Sequence, residues 1–433
     1  MIIQRDFYLE RLGRLKGNGL VKIITGVRRC GKSFLLFNLF REKLLLEGVD
    51  DKHIVFVQLD DDDAENLRTP KALSAWVKSR LPEDGLPTYV LIDEIQMCKP
   101  PEDEIQKKSA VTFYDVLNSL MKKANVDVYV TGSNSEMLSR DIATNFRDRG
   151  VEIRVWPLSF SEVYAASGME KAEAWDRYLT WGGLPLAVTA ADDFERSRYL
   201  GSLFERIYLK DIIERYSLRK DESVLMSLLN VLSSSVGSLT NPQKIANTLR
   251  SECSIDICAD TINAYLGYFA DSFLFNVAKR WDVKGRKYLS APSKYYAVDL
   301  GLRNASLNFR QPEKGHLMEN AIYNELMMRG YNVDVGIVET YSKNENSLTV
   351  RNKTEIDFVV NLGMRKLYIQ SAYAISDEKK RAQEIYSLKH TEDFFRKVVI
   401  ENGFAQPYLD EDGILYVGVI PFLLDRYILS SIM

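Results

Sequence analysis

Residues 26–33 read Gly26-Val27-Arg28-Arg29-Cys30-Gly31-Lys32-Ser33: four residues between two glycines, then lysine and serine. An apolar run, Val21 to Ile24, leads into this stretch, and an amphipathic segment, Phe34 to Leu46, follows it. A strand, a glycine-rich loop and a helix start, in that order, make a cradle for phosphate. Gly26 and Gly31 let the backbone wrap closely, so that N–H groups from Arg28, Arg29 and Cys30 through to Phe34 face an anion. The helix N-terminus adds partial positive charge. Lys32 has the reach for β- and γ-phosphates, and the Ser33 hydroxyl suits Mg²⁺, so ATP and Mg²⁺ are the expected cofactors.

The second chemical signal is Tyr89-Val90-Leu91-Ile92-Asp93-Glu94, four apolar residues that end in two acids. Ligands of open α/β sheets bind at the carboxyl ends of strands. Asp93 there reaches the Mg²⁺ held by Ser33, directly or through water. Glu94 is placed to polarise an attacking water as a general base. A third strand pattern, Val128-Tyr129-Val130, ends in Thr131-Gly132-Ser133-Asn134. If that strand lies between the other two, Asn134 or Ser133 can contact the γ-phosphate or its water.

These residues need a sheet to hold them. Apolar runs at Ile54–Leu59, Tyr89–Ile92, Val126–Val130 and Val151–Val155 follow the first strand, with helical patterns between them. Near-continuous apolar strands alternating with helices predict a mostly parallel α/β sheet buried on both faces. The acidic run Asp60–Asp63 reads as a solvated loop rather than a metal site, because no ligand spacing supports one. From Phe160 to about Arg250 the pattern is helical. Asn241-Pro242 then caps a helix, Asp260 to Asp271 is a second, and Leu274–Arg280 and Lys287–Ser290 flank a Lys284-Gly285 turn. A helix at Leu317–Arg329 and strands at Asn332–Val338, Glu355–Val360 and Leu367–Ala372 predict a further α/β unit.

Composition narrows the class. A chain of 433 residues predicts two to four domains. With 46% hydrophobic and 27% charged residues it has the balance of a globular protein with real cores. The net charge of −3 gives no global field for nucleic acid, so such a partner must be read from local patches. Cys30, Cys98, Cys253 and Cys258 form no Cys-x-x-Cys pair, which fits a reducing cytoplasm. Arg5, Asp6, Glu10 and Arg11 exclude an apolar signal core, and no apolar run reaches membrane-spanning length. A cytoplasmic protein with no membrane contact is the expectation.

The loop, the Asp93-Glu94 strand end and the Thr131–Asn134 strand end together resemble the AAA-type ATPases. That resemblance implies that Asn134 is a sensor of the γ-phosphate. It also implies that an arginine before the fifth strand, Arg147 or the better-spaced Arg149, reaches a neighbouring subunit's nucleotide in a homo-oligomer. The alternative for either arginine is a solvated helix end. Pro157-Leu158-Ser159-Phe160-Ser161-Glu162 and Trp181-Gly182-Gly183-Leu184-Pro185 resemble prokaryotic P-loop ATPases with a short helical lid and a C-terminal domain of unknown function. Gly183-Leu184-Pro185 is similar to the lid motif of the signal-transduction ATPases, which implies that Pro185 packs near the adenine. Read without that resemblance, Gly-Gly-x-Pro marks a helix break where backbone approaches a ligand.

The expected organisation is a P-loop ATPase core over 1–157, a helical lid over 158–205, a helical and winged-helix domain over 206–300, and a restriction-endonuclease-like domain over 301–433. The ribbon of the winged helix carries Lys279, Arg280, Lys284, Arg286, Lys287 and Lys294 among Trp281, Tyr288, Tyr295 and Tyr296. That pattern suits DNA phosphates, but Asp260, Asn263 and Asp271 on the preceding helix suit a protein contact better. In the last domain Glu319 and Asp357 match acidic positions of the nuclease-like fold. Gln370 and Ala372 stand where its second strand acid and its lysine belong, so no nuclease activity is expected. The function expected is ATP binding or hydrolysis that switches a C-terminal interaction module. The alternative is a nucleotide-gated DNA- or protein-binding protein without turnover.

Overall fold

The computed structural model describes residues 1–101, 110–132, 149–204, 208–218, 222–310, 313–343, 349–375 and 377–430. Ser133, Asn134 and Arg147 lie outside the described residues. The chain divides into two compact units, Met1–Trp156 with Asp271–Phe273, and Pro157–Ala270 with Leu274–Met433.

The first unit is built on five strands: β1 (Val21–Thr25), β2 (Ile54–Gln58), β3 (Thr88–Asp93), β4 (Val126–Thr131) and β5 (Gly150–Arg154). Their order is β2-β3-β4-β1-β5 and every pairing is parallel. All residues of β1 and of β3 are buried, as expected for strands covered on both faces. Val21, Ile23, Val90, Ile92, Val128 and Val130 share a core with Leu73 and Val77 of the helix Pro70–Lys78 and Leu117 and Leu120 of the helix Phe113–Met121. Thr69 caps the first of these helices and Pro70 occupies its first turn, while Asp115 accepts a 2.8 Å bond from Thr112 N in a capping box at the second. The Asp60–Asp63 run also caps: Asp61 accepts from Asp63 N at the start of the short helix Asp62–Leu67.

The second unit begins with helices and continues into a nine-stranded sheet. Its strands are β6 (Leu239–Thr240), β7 (Phe275–Asp282), β8 (Lys287–Ala297), β9 (Asn332–Lys343), β10 (Thr349–Leu362), β11 (Arg365–Ala372), β12 (Arg396–Glu401), β13 (Tyr408–Leu409) and β14 (Leu415–Gly418). The order is β13-β14-β12-β11-β10-β9-β7-β8-β6. The ribbon β7–β8 is therefore not a sheet of its own. It pairs in parallel with β9 through Arg280↔Val335, Trp281↔Gly336 and Asp282↔Ile337, so a boundary at residue 300 cuts through one continuous sheet. Local patterns could not reveal this, because the pairing joins segments more than fifty residues apart.

Alternation along β12 shows how the sheet is covered. Val398 and Ile400 join the core formed with Leu317, Met318, Ala321 and Ile322 of the helix Lys314–Met328. Val399 between them joins a second core with Val338, Ile356, Val359 and Leu388.

Candidate nucleotide site

The phosphate loop follows β1 directly. Gly26 has φ +140°, and a Cβ there would lie 2.1 Å from Val155 O. Gly31, at φ +94°, caps the helical run that starts at Lys32 and continues through a π-helical turn, Leu35–Phe40, to Leu46. Arg28, Arg29 and Phe34 are exposed, Gly31 and Ser33 half-buried, and Lys32 buried. Lys32 Nζ donates to Gly26 O at 3.0 Å and Val27 O at 3.2 Å. Both acceptors are neutral carbonyls, for which a phosphate oxygen is the stronger substitute. A narrow glycine cradle with an ammonium lodged across it fits a nucleotide phosphate chain.

The loop is braced from below. Cys30 is buried, and its thiol lies 3.4 Å from Val155 O. Arg5 is also buried and donates from Nη1 to Cys30 O at 3.2 Å and from Nη2 to Trp156 O at 2.9 Å. Tyr8 OH accepts from Trp156 N at 2.9 Å. Thr25, the last residue of β1, donates from Oγ1 to Glu152 Oε1 at 2.5 Å. Arg5 was read in the sequence only as a charge excluding a signal core, because its carbonyl partners lie 25 and 151 residues away.

Strand β4 lies between β1 and β3, the order that the Thr131–Asn134 reading required. Asp93 is buried at the carboxyl end of β3, on the same sheet edge as the phosphate loop. Thr131 Oγ1 donates to an Asp93 carboxylate oxygen and accepts from Glu94 N at 3.1 Å. One hydroxyl thus orders both acids. The sequence signal for it was present, a threonine at the strand end, but the register Ile92↔Val130 was needed to pair it with Asp93. Glu94 adopts φ +47°, and its carboxylate accepts from Gln96 Nε2. Arg149 is exposed and immediately precedes β5, where its carbonyl accepts from Val21 N at 3.0 Å. It therefore sits at the amino end of the sheet, a strand length of about 16 Å from the edge bearing the phosphate loop.

The Gly182-Gly183 break belongs to the second unit and serves a purpose the sequence did not suggest. The backbone does make close approaches there, but to protein. A Cβ on Gly183 would lie 2.0 Å from Leu158 O, and one on Gly182 would lie 2.4 Å from Asp299 Oδ1. Leu158 N donates to Gly183 O at 2.7 Å. The two segments read as separate motifs, 157–162 and 181–185, are thus paired by backbone. Ser159 caps the helix Phe160–Ser167 in a capping box with Glu162, and Pro185 is half-buried in the first turn of the helix Pro185–Thr189.

The expected basic ribbon loses part of its surface. Tyr295, Tyr296 and Lys294 are buried, so they offer nothing to a phosphate backbone. Lys284 pairs with Glu392 at 2.5 Å, and Tyr288 OH donates to Asp334 at 3.0 Å. Lys294 instead reaches the two acids singled out in the last third of the chain. Its Nζ lies 2.9 Å from Glu319 Oε1 and 3.5 Å from Asp357 Oδ1. Among the described residues, no group of three or more His, Cys, Asp or Glu is arranged to hold a metal ion. No helix among them is long and apolar enough to cross a membrane.

Residues 18–164 match the family described as AAA domain, residues 172–313 a domain of unknown function (DUF8612) and residues 314–422 a second (DUF4143). An uncharacterized protein of Haemophilus influenzae is 31% identical over 428 residues, covering 98% of this chain and 99% of that protein. The uncharacterized protein MJ1544 of Methanocaldococcus jannaschii is 27% identical over 446 residues, covering 97% of this chain and 90% of that one. Among solved structures, the Walker-type ATPase PABY2304 of Pyrococcus abyssi aligns with a TM-score of 0.47 at 14% identity, over 71% of this chain and 96% of that chain. The match to the Haemophilus influenzae protein runs essentially end to end, and with the AAA match laid over the five-stranded parallel sheet it establishes that the chain belongs to one family with that protein, a P-loop AAA domain followed by two domains of unknown function.

Proposed function

We propose that the first unit binds ATP with Mg²⁺ and hydrolyses it, and that the nucleotide state switches an interaction module in the second unit. One observation carries this reading. The phosphate loop and the Asp93-Glu94 strand end occupy one edge of a parallel sheet, separated by a single strand whose Thr131 orders both acids. Gly26, Gly31 and the N–H groups of residues 28–34 cradle the phosphates, and Lys32 exchanges its carbonyl partners for phosphate oxygens. Ser33 and Asp93 hold the metal. Bound Mg²⁺ neutralises charge on the phosphate oxygens. Glu94 takes the proton of the attacking water. The resemblance to AAA-type ATPases adds Asn134 as sensor and Arg149 acting on a second copy of the chain.

A second reading, nucleotide-gated binding without turnover, is favoured by the Gln96 amide on Glu94, which holds the base in a hydrogen bond. An ATPase assay on the pure full chain, with and without DNA, separates the two. Turnover abolished by Glu94→Gln supports hydrolysis. Equal phosphate release by wild type and variant rejects Glu94 as base.

For the second unit we propose a winged-helix arrangement of the helices Pro242–Cys253 and Ala259–Asp271 with the β7–β8 ribbon, used for protein contact rather than DNA. The burial of Lys294, Tyr295 and Tyr296 supports that choice. The helix Lys314–Met328 and strand β10 carry Glu319 and Asp357, the acids that match a nuclease-like fold. Gln370, whose Oε1 faces Asp357 N at 3.4 Å, and the buried Ala372 supply neither a second strand acid nor a lysine there, so phosphodiester cleavage is not part of the proposal.

A further inference from the structure

The centre of the second unit holds a lysine among three acids. Glu319 comes from the helix Lys314–Met328, Glu355 and Asp357 from β10, and Lys294 from β8. The Lys294 side chain is 4% exposed. Its Nζ lies 2.9 Å from Glu319 Oε1, 2.6 Å from Glu355 Oε1 and 3.5 Å from Asp357 Oδ1. An ammonium has three N–H donors, and here three carboxylates surround it. Two further donors reach the same acids. Tyr296 OH donates to Glu319 Oε1 at 2.7 Å, and Ser371 N donates to Asp357 Oδ2 at 2.9 Å.

We infer that the Lys294 ammonium is the resident cation of this cluster, standing in the place of a divalent metal ion and excluding one. A divalent ion drawn to the same oxygens would have to lie within a few ångströms of the ammonium, where like charges at low dielectric repel strongly. Without any metal the ammonium already offsets part of the negative charge of the cluster. Burial alone would lower the Lys294 pKa, but Glu319, Asp357 and Glu355 outweigh it and hold the lysine charged, well above its ordinary range. Burial, and then the Glu319 charge, push the Asp357 carboxyl upward, while the Lys294 charge pulls it back down. An isolated carboxylate trio in such a site would carry a severe desolvation cost. The lysine offsets part of that cost by Coulombic attraction, and it fixes β8 to β10 and to the helix that carries Glu319.

The inference makes a gain-of-function prediction. Shortening Lys294 to alanine leaves three carboxylate oxygens around a vacated point, the hard-oxygen donor set that Mn²⁺ and Mg²⁺ prefer. The probe is MnCl₂ added to the nucleotide-free full chain, read by the loss of free-Mn²⁺ EPR signal and by thermal unfolding. Lys294→Ala should bind one Mn²⁺ per chain at least about 100-fold more tightly than wild type, since a unit charge beside the metal has been removed. The Lys294→Ala/Asp357→Asn double variant should lose that site. If Lys294→Ala is unfolded without metal, Mn²⁺ should restore its circular dichroism. Wild-type Mn²⁺ binding that Asp357→Asn abolishes would overturn the inference. So would a folded Lys294→Ala that binds no Mn²⁺, or one that stays unfolded with and without it.

Discussion

Asp299 Oδ2 accepts a 2.7 Å hydrogen bond from Gly183 N. Asp299 also caps the helix Leu300–Ser306, accepting from Leu302 N at 2.9 Å. The carboxylate thus takes the space that any side chain on Gly182 would need, at a residue whose φ is +68°. A glycine pair that reads as a ligand approach is, in the folded chain, the receptor for an aspartate from 116 residues further on.

The pH dependence of the second unit follows. Burial pushes the Asp299 carboxyl up to about 6, against the backbone N–H bonds that pull it down. Asp357 is pushed upward, and burial raises Glu325 and Asp334 as well. A carboxyl with a raised folded-state pKa binds its proton more tightly when folded. Its contribution to stability is present at acid pH and is lost as pH rises through the folded value. For Asp299 the window is from about 4 to about 6, and the most it can contribute is about 3 kcal/mol. The urea midpoint of the second unit should therefore rise as pH falls from about 8 to about 5, through the Asp299 window. Asp299→Asn should lower that midpoint at pH 8, because its amide nitrogen cannot accept the backbone bond that one of the two carboxylate oxygens takes, and should flatten the slope near pH 6. A midpoint that falls steadily on acidification from pH 8 would contradict the assignment.

Arg5 should act as a positioning residue for the phosphate loop. Arg5→Ala removes the donor to the Cys30 and Trp156 carbonyls, a loss worth about 1–3 kcal/mol for buried groups. ATP affinity should fall roughly 10-fold, with kcat less affected. Arg5→Lys should recover only part, since an ammonium lacks the planar fork. The measurement is KM against kcat for each variant alongside its thermal midpoint. A variant that loses stability with ATP affinity unchanged would leave Arg5 a purely structural role.

Lys32→Ala and Glu94→Gln should fail differently. The first removes the ammonium bound to Gly26 O and Val27 O and should abolish tight ATP–Mg²⁺ binding. The second should keep binding and slow turnover by about 10²–10⁴-fold, the usual worth of a general base. Fluorescent-nucleotide titration and single-turnover phosphate release distinguish the two. Loss of binding in Glu94→Gln would move that residue from base to ligand.

Arg149 lies at the wrong end of its own sheet to touch its own nucleotide. Hydrolysis per chain should therefore rise with protein concentration, and Arg149→Ala should remove the rise, with a loss on the order of 10³-fold if the residue acts as a finger in trans. Mixing Arg149→Ala with Lys32→Ala should restore part of the activity, since each copy supplies what the other lacks. Full activity in a stably monomeric preparation would exclude the trans role.

The five strands of the first unit, their helical connections and the phosphate loop were legible because each is a local pattern. Val21–Thr25 and Thr88–Asp93 are rich in apolar residues and buried throughout, and the loop glycines are dictated by backbone geometry within eight residues. The short strands Arg396–Glu401 and Leu415–Gly418 carry only three apolar residues each, too few to announce a strand without strong turn signals. What only the tertiary structure decided is where lone polar side chains end up. Arg5 finds Cys30, Thr131 joins Asp93 to Glu94, Gly183 receives Asp299, and Lys294 leaves an apparent basic ribbon for three carboxylates. Backbone periodicity is set by neighbours three or four residues away. The partner of a buried charge is set by which strands pair across the sheet, and that pairing carries no mark in the local sequence.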